Sequence, residues 1–397
     1  MKPDTGNACF TRILNAVLNG SPVYVRPYKE PKVWGVDGIG EYWYGAEEGE
    51  KSSTAVVGKD AFSLYKIIEN GPEKFLGEKV VARFGKRLPL VKILTPKSRL
   101  SVQFHDNKNE LWIITGTDKE IAGGTPWIIT GFSRKAVELY GKAVTGYYKG
   151  ALAIYGEALN NLIEIMIDSG YEKLLDDKKD VELASQEVVH SKPGSSEIAG
   201  DLEKLKAAKR GLDVFYNRQY VEIGDVIPIP SGTLHALGPG VEVVEPQIAG
   251  PTQSLEDGTT YPVRYAFPAY PREGAIKMLE IDRVHEMLPE VMEKTYPEVA
   301  DETDYVLVER LPGKFEDKGL EVHRITFKDD SEYQQSPTSF HTLIVLVGDA
   351  RLCINDKEYN IPNAAPDGEM LIVPASAGHY KIHACKNTQI IDTFTPV

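Results

Sequence analysis

The sequence predicts a mainly β protein interrupted by a helical insertion, and three observations carry that reading. The 35 Gly and 25 Pro are spread along 397 residues and supply the many turns that short strands require. Two β-like segments each carry a short histidine motif, and between them apolar residues recur at helical spacing over about 80 residues. Thr303 to Val397 then alternates short apolar runs with turns, in the manner of a separate sandwich or barrel.

A chain of this length is expected to hold two or three domains. We place a motif-bearing β domain at 1–132 and 216–300, a helical insertion at 133–215 and a C-terminal β domain at 301–397. No apolar run is long enough to cross a bilayer, and MKPDTGNACF lacks a basic stretch followed by an apolar one. A cytoplasmic location is therefore expected. Cys9, Cys353 and Cys385 are far apart and odd in number, which suggests neither a disulfide framework nor a thiolate zinc site. The net charge of −13 argues against non-specific binding to nucleic acid or to an anionic membrane. An anionic small substrate stays possible where a few Lys or Arg converge. Nothing in the sequence sets an oligomeric state.

Met1 to Lys92 reads as strands and loops, with one short helix at Asp60 to Asn70 closed by Asn70-Gly71-Pro72. The run LPLVKIL from Leu88 to Leu94 predicts a strand, and its Lys92 reads first as a side chain snorkelling at an edge. Ser133 is the N-cap expected for the first insertion helix. Leu152, Tyr155, Leu159, Leu162, Ile163 and Met166 mark a second helix, which Ser169-Gly170 stops. Asp176 to Gly200 is polar and charged enough to read in part as a mobile loop, and Asp201 to Phe215 reads as a third helix. After Arg218 the pattern returns to β, with a further helix expected at Arg283 to Met292.

Two stretches carry chemistry. In SVQFHDNKNELWIITG, Gln103 and His105 are two apart and share a strand face, while Glu110 can return after a turn at Asp106-Asn107. In GDVIPIPSGTLH, proline ends the strand and Gly232 supplies a tight turn that aims His235 inward. An amide oxygen, two imidazoles and a carboxylate make a borderline-to-hard divalent site, suited to Zn²⁺ with Fe²⁺, Mn²⁺ or Co²⁺ as competitors. Taken singly, a histidine before an apolar strand is more often structural than ligating. Two matched halves are harder to obtain by chance.

The wording of these segments resembles the metal-dependent, type I phosphomannose (mannose-6-phosphate) isomerases of the cupin superfamily. Trp34-Gly35, Gly40-Glu41-Tyr42-Trp43, LPLVKI, LSVQFH, Lys108-Asn109-Glu110, PSGTLHALGPGVEVVEPQ from Pro230 to Gln247 and VRYAF from Val263 to Phe267 carry the likeness, in order, along roughly the first 290 residues. The resemblance implies a cupin (jelly-roll) β-barrel catalytic domain and a C-terminal cupin-like β domain. It also implies a Zn²⁺ cofactor held by Gln103, His105, Glu110 and His235. By the same likeness Ser101, Lys92 and Lys108 would bind a sugar phosphate, and Arg264, Glu245 and Lys108 would act in catalysis. The shorter stretch between His105 and Glu110, and Asp106 where a proline is common, depart from the family pattern.

The activity so implied is interconversion of mannose 6-phosphate and fructose 6-phosphate through an enediol or enediolate. Glu245 is the first candidate base, with Lys108 or a water on the metal as alternatives. Two other readings share the scaffold: an isomerase of another aldose, and a non-catalytic metal-binding, sugar-sensing cupin. His323, His341, His379 and His383 lack a second matched motif and read as structural or exposed.

Overall fold

A computed structural model describes residues 5–105, 108–178, 181–192, 194–249, 264–267, 287–290, 292 and 295–397. Two sheets face each other around the motifs. Tyr216–Tyr220, Trp127–Phe132, His235–Leu237, Val102–Phe104 and Arg264–Phe267 form a five-stranded sheet in that order. Val226–Ile229, Lys108–Thr117, Val241–Ala249, Leu90–Leu94, Ile39–Tyr44 and Tyr28–Val36 form a six-stranded one. The expected barrel thus takes the form of a double sheet, and no strand pairing among the described residues closes it.

Both faces of the six-stranded sheet are covered, and strand alternation decides what each face shows. Val91, Ile93, Leu111, Ile113, Val244 and Ile248 turn outward into a cluster with the helix Thr5–Leu18 and residues of the C-terminal strands. Leu94, Trp112, Ile114 and Val243 turn inward and meet Leu100, Ile128 and Leu237 of the facing sheet. Burying each such aliphatic side chain stabilises the fold by roughly 1.5–3 kcal/mol. The same inward alternation carries Lys92, Lys108, Glu110, Glu245 and Gln247 between the sheets.

The helical segment packs on the outer face of the five-stranded sheet. Val144–Asp168 is its long helix, and Tyr148, Leu152, Tyr155, Leu159, Leu162 and Met166 join Val102, Phe104, Ile129 and Phe132 in one core. Ser133 is the N-cap expected of it, since its Oγ accepts from the Ala136 amide at 3.1 Å. The polar stretch after Asp176 is a helix from Val181 to Ser191, contrary to the loop expected. Its charged composition hid a stripe of Val181, Ala184, Ser185 and Val188 at helical spacing.

Two other expectations need correction. The helix placed at Asp60–Asn70 spans only Leu64–Asn70, capped by Ser63, because Asp60–Ser63 pairs as a strand with Thr54–Val57. The N-terminal segment begins with the helix Thr5–Leu18 rather than a strand. Half of the helix expected at Arg283 to Met292 falls outside the described residues, and the described half, residues 287–290 and 292, is not helical.

The C-terminal strands build a nine-stranded and a four-stranded sheet around a second interior that includes Val308, Phe327, Leu343, Leu352, Leu371 and Ile382. The nine-stranded sheet continues into the N-terminal segment. Val23–Arg26 pairs antiparallel with Met370–Val373, with Val23 opposite Ile372, and brings Thr54–Val57 and Asp60–Ser63 with it.

Candidate active site

His235 enters the space between the sheets through a tight turn. The Thr233 amide donates to the Pro230 carbonyl at 3.0 Å and Gly232 sits at φ +84, a conformation that a Cβ disfavours. The Gly232 amide then donates to the carbonyl of His105 at 2.5 Å, and Ser231 Oγ does so at 3.1 Å. The turn thereby fixes the two histidines to each other. Their ring centroids are 4.8 Å apart, and both are buried.

Gln103 pairs directly with His235 across the five-stranded sheet. Opposed residues of an antiparallel pair share a face, so the amide and the imidazole lie on the inner side while Val102 and Phe104 pack outward. Continuing that alternation puts Ser101 on the inner side as well, partly exposed. Glu110 comes from the facing sheet: Oε1 is 3.0 Å from His105 Nε2, and Oε2 is 3.8 Å from His235 Nε2.

These atoms fit a divalent metal. One donor atom each from His105, Glu110 and His235 lies within 4.8 Å of the others. His235 Nδ1 is 2.7 Å from the Thr233 carbonyl, which can only accept, so Nδ1 carries the proton and Nε2 keeps its lone pair. That Nε2 is buried without a hydrogen bond among the described residues. Burial above all pushes the His235 pKa down to about 3, so the ring is neutral near pH 7.

Beyond the ligands the six-stranded sheet presents a charged row. Trp43 stands opposite Lys92, and Lys92 opposite Glu245. Lys92 Nζ is 3.8 Å from Glu245 Oε1, and Lys108 Nζ is 3.7 Å from it. Lys108 also contacts Glu110 Oε1. Lys92 reaches Glu41 at 3.2 Å, and Glu41 accepts from Trp43 Nε1 at 2.8 Å. Trp112 Nε1 lies 3.2 Å from Glu110 Oε2 and 3.2 Å from Glu245 Oε2.

The three carboxyls respond differently to one interior. Burial, and then the charge of Glu110, push the Glu245 pKa up to about 7 against the pull of Lys92 and Lys108. Burial also disfavours charge on Glu110, but Lys108 and then His105 hold its carboxyl well below the usual range. Glu41 likewise resists burial through Lys92 and Lys32, and lies at about 2. A carboxyl poised near neutrality beside fixed cations is suited to taking and returning a proton.

Lys92 is no snorkelling edge residue, since it is 8% exposed and sits between carboxylates in an inner strand. Lys92 and Lys108 both face carboxylates. Arg264 lies on a strand whose register sets it against Phe104 and sets Tyr265 against Gln103. The expected turn at Asp106-Asn107 is outside the described residues. The sequence offers Trp34 and Trp43 as core packing or a wall of the pocket, and does not single out Glu41 and Trp112 as members of the site. Trp112 is two residues after Glu110 and Trp43 two after Glu41, so period-two spacing from a charged residue was the available signal.

Residues 24–121 match the model of the phosphomannose isomerase type I catalytic domain. That segment is similar to the catalytic domain of the type I phosphomannose isomerases. An 88-residue stretch is 38% identical to mannose-6-phosphate isomerase of Escherichia coli (strain K12), covering 22% of this chain and 22% of that protein. The corresponding stretch is 36% identical to the Salmonella typhimurium enzyme of the same name. The matched stretch thus spans 22% of the length of these curated relatives.

At the level of fold the likeness extends much further. A mutant of phosphomannose isomerase from Salmonella typhimurium superposes with a TM-score of 0.62 at 16% identity, over 95% of this chain and 100% of that one. A zinc-bound mannose 6-phosphate isomerase gives 0.61 at 16% identity, with the same coverage. The chain therefore shares the fold of these phosphomannose isomerases over 95% of its length.

Proposed function

We propose that this protein interconverts mannose 6-phosphate and fructose 6-phosphate, with Zn²⁺ held by Gln103, His105, Glu110 and His235. The observation that carries the proposal is Glu245. It is buried, has a pKa of about 7, and lies within 3.8 Å of two lysines in the same interior as the donor cluster. Relatives named mannose-6-phosphate isomerase and a neighbour described as zinc-bound support the choice of reaction and metal.

Aldose–ketose exchange moves one proton between C1 and C2 and a second between the oxygens they carry, and develops negative charge on an oxygen. Bound zinc would stabilise that charge as a Lewis acid. Glu245 takes the proton from one carbon and returns it to the other, which requires a carboxyl whose pKa is near the working pH. Trp112 holds one oxygen of Glu245 by its indole N–H and leaves Oε1 without a hydrogen bond among the described residues. Lys108 and Lys92 provide fixed positive charge beside it, within reach of a developing oxyanion.

Charge balance favours a phosphorylated sugar. Glu41, Glu110 and Glu245 face Lys32, Lys92 and Lys108, so a divalent cation would leave the pocket net positive. A phosphate dianion, oriented by Ser101 and the lysines, offsets that surplus, while nucleic acid remains disfavoured by the net charge of −13. No helix among the described residues is long and apolar enough to cross a membrane, and we place the enzyme in the cytoplasm. The test is a coupled assay of the zinc-loaded protein on mannose 6-phosphate and on mannose. Conversion of the phosphorylated sugar alone is expected, whereas equal rates on both would favour an isomerase of a free aldose.

A further inference from the structure

We infer that the side-chain amide of Gln247 recognises a hydroxyl of the sugar and helps to set substrate specificity. This rests on the isomerase reading above. Gln247 is two residues beyond Glu245 on the same strand face, and its backbone pairs with Glu110 on one side and Leu90 on the other. It therefore stands beside both the proposed base and a proposed metal ligand. It is only 8% exposed, and its Oε1 is buried without a hydrogen bond among the described residues.

An amide removed from water without a partner is costly, and a core at this position would be better served by an aliphatic side chain. The oxygen, unmet among the described residues, points to a partner that arrives from outside the chain. An amide offers one acceptor and one donor group, which matches a hydroxyl that both gives and takes a hydrogen bond. A phosphate would instead seek the neighbouring Lys92 and Lys108, and the metal has donors of its own in His105, Glu110 and His235. A substrate hydroxyl is what the remaining chemistry can use.

The experiment compares zinc-loaded wild type with Gln247→Leu, which keeps the volume and removes both polar atoms. Three quantities are read: zinc content, steady-state constants on mannose 6-phosphate and its 3-deoxy and 4-deoxy analogues, and calorimetric affinity for mannitol 6-phosphate, which cannot isomerise. The variant should keep its zinc and its kcat, raise KM by roughly 10- to 100-fold, and bind mannitol 6-phosphate correspondingly more weakly. One deoxy analogue, poor for wild type, should be no worse than mannose 6-phosphate for the variant. Unchanged affinity, lost zinc, or an equal loss on all three sugars would overturn the inference. If wild type converts none of the sugars the isomerase reading fails, and mannitol 6-phosphate binding alone decides: weaker binding by the variant upholds Gln247, while equal or absent binding refutes it.

Discussion

The imidazole of His235 donates from Nδ1 to the carbonyl of Thr233 at 2.7 Å. That one bond fixes the tautomer, so the lone pair on Nε2 faces Glu110 and His105. The backbone of the Pro230 turn, rather than another side chain, thus prepares the ligand. His235→Ala should lose zinc and isomerase activity together. Metal analysis after desalting checks this, and full zinc content in the variant would contradict the ligand assignment.

Gly232 is the turn's conformational requirement. At φ +84 an alanine costs roughly 1–2 kcal/mol, and the strain falls on the amide that bonds His105. Gly232→Ala should therefore lower both the melting temperature and zinc affinity. A variant destabilised to that extent but with wild-type zinc affinity would show that the turn does not position the histidines.

Trp112 shares its indole N–H between Glu110 and Glu245. Trp112→Phe keeps the aromatic packing near His235, which is T-shaped at 5.5 Å, and removes the donor. Hydrogen bonds to charged groups are worth about 1.5–3 kcal/mol, so kcat should fall by roughly tenfold or more. The loss also favours neutral Glu245, so the acid limb of the kcat/KM profile should lie at higher pH than in the wild type. An unmoved limb would remove Glu245 as the titrating base.

Stability against pH follows from groups of opposite kind. The Glu41 pKa falls from an ordinary 4.5 to about 2 on folding, so its contribution is present above pH 4.5 and is lost as pH falls toward 2. Its size is about 3 kcal/mol, at 1.36 kcal/mol per unit. The His235 pKa falls from 6.5 to about 3, so the unfolded chain takes up its proton first and stability drops as pH falls from 6.5 to 3. Denaturant titrations of chelator-treated protein should show both losses. Glu41→Gln should flatten the part below pH 4.5, and an unchanged slope there would contradict the Glu41–Lys92 pairing.

Strand Val23–Arg26 lies in the sheet of the last hundred residues. We propose that the C-terminal β segment is required for the rest to fold. A chain ending at residue 300 should be insoluble or rapidly digested, because Val23, Val25 and Phe75 lose Phe340, Met370, Ile372 and Ile391 from their core. A soluble, protease-resistant truncation would restore an independent domain boundary at 301.

Much of this was legible from residue order. The alternation of QFH and the proline and glycine of PSGTLH placed Gln103, His105 and His235 on inward faces, because period two and positive φ are local properties. The partners of Lys92 were not legible. A lysine within LPLVKIL reads as an edge residue unless the sheet is known to be covered on both sides, and that depends on strands far away in sequence. The roles of Glu41 and Gln247 were not legible for the same reason, since only register brings their strands beside Lys92 and Glu110. The helix Val181–Ser191 was missed where charge outweighed a narrow apolar stripe.

We propose that one metal, held at His235, is required for isomerisation. The most direct measurement is a titration of metal-free protein with Zn²⁺ while conversion of mannose 6-phosphate to fructose 6-phosphate is followed. Activity should rise linearly from near zero and level off at one equivalent. Full activity before zinc is added, or no activity at any zinc level in folded protein, would contradict it.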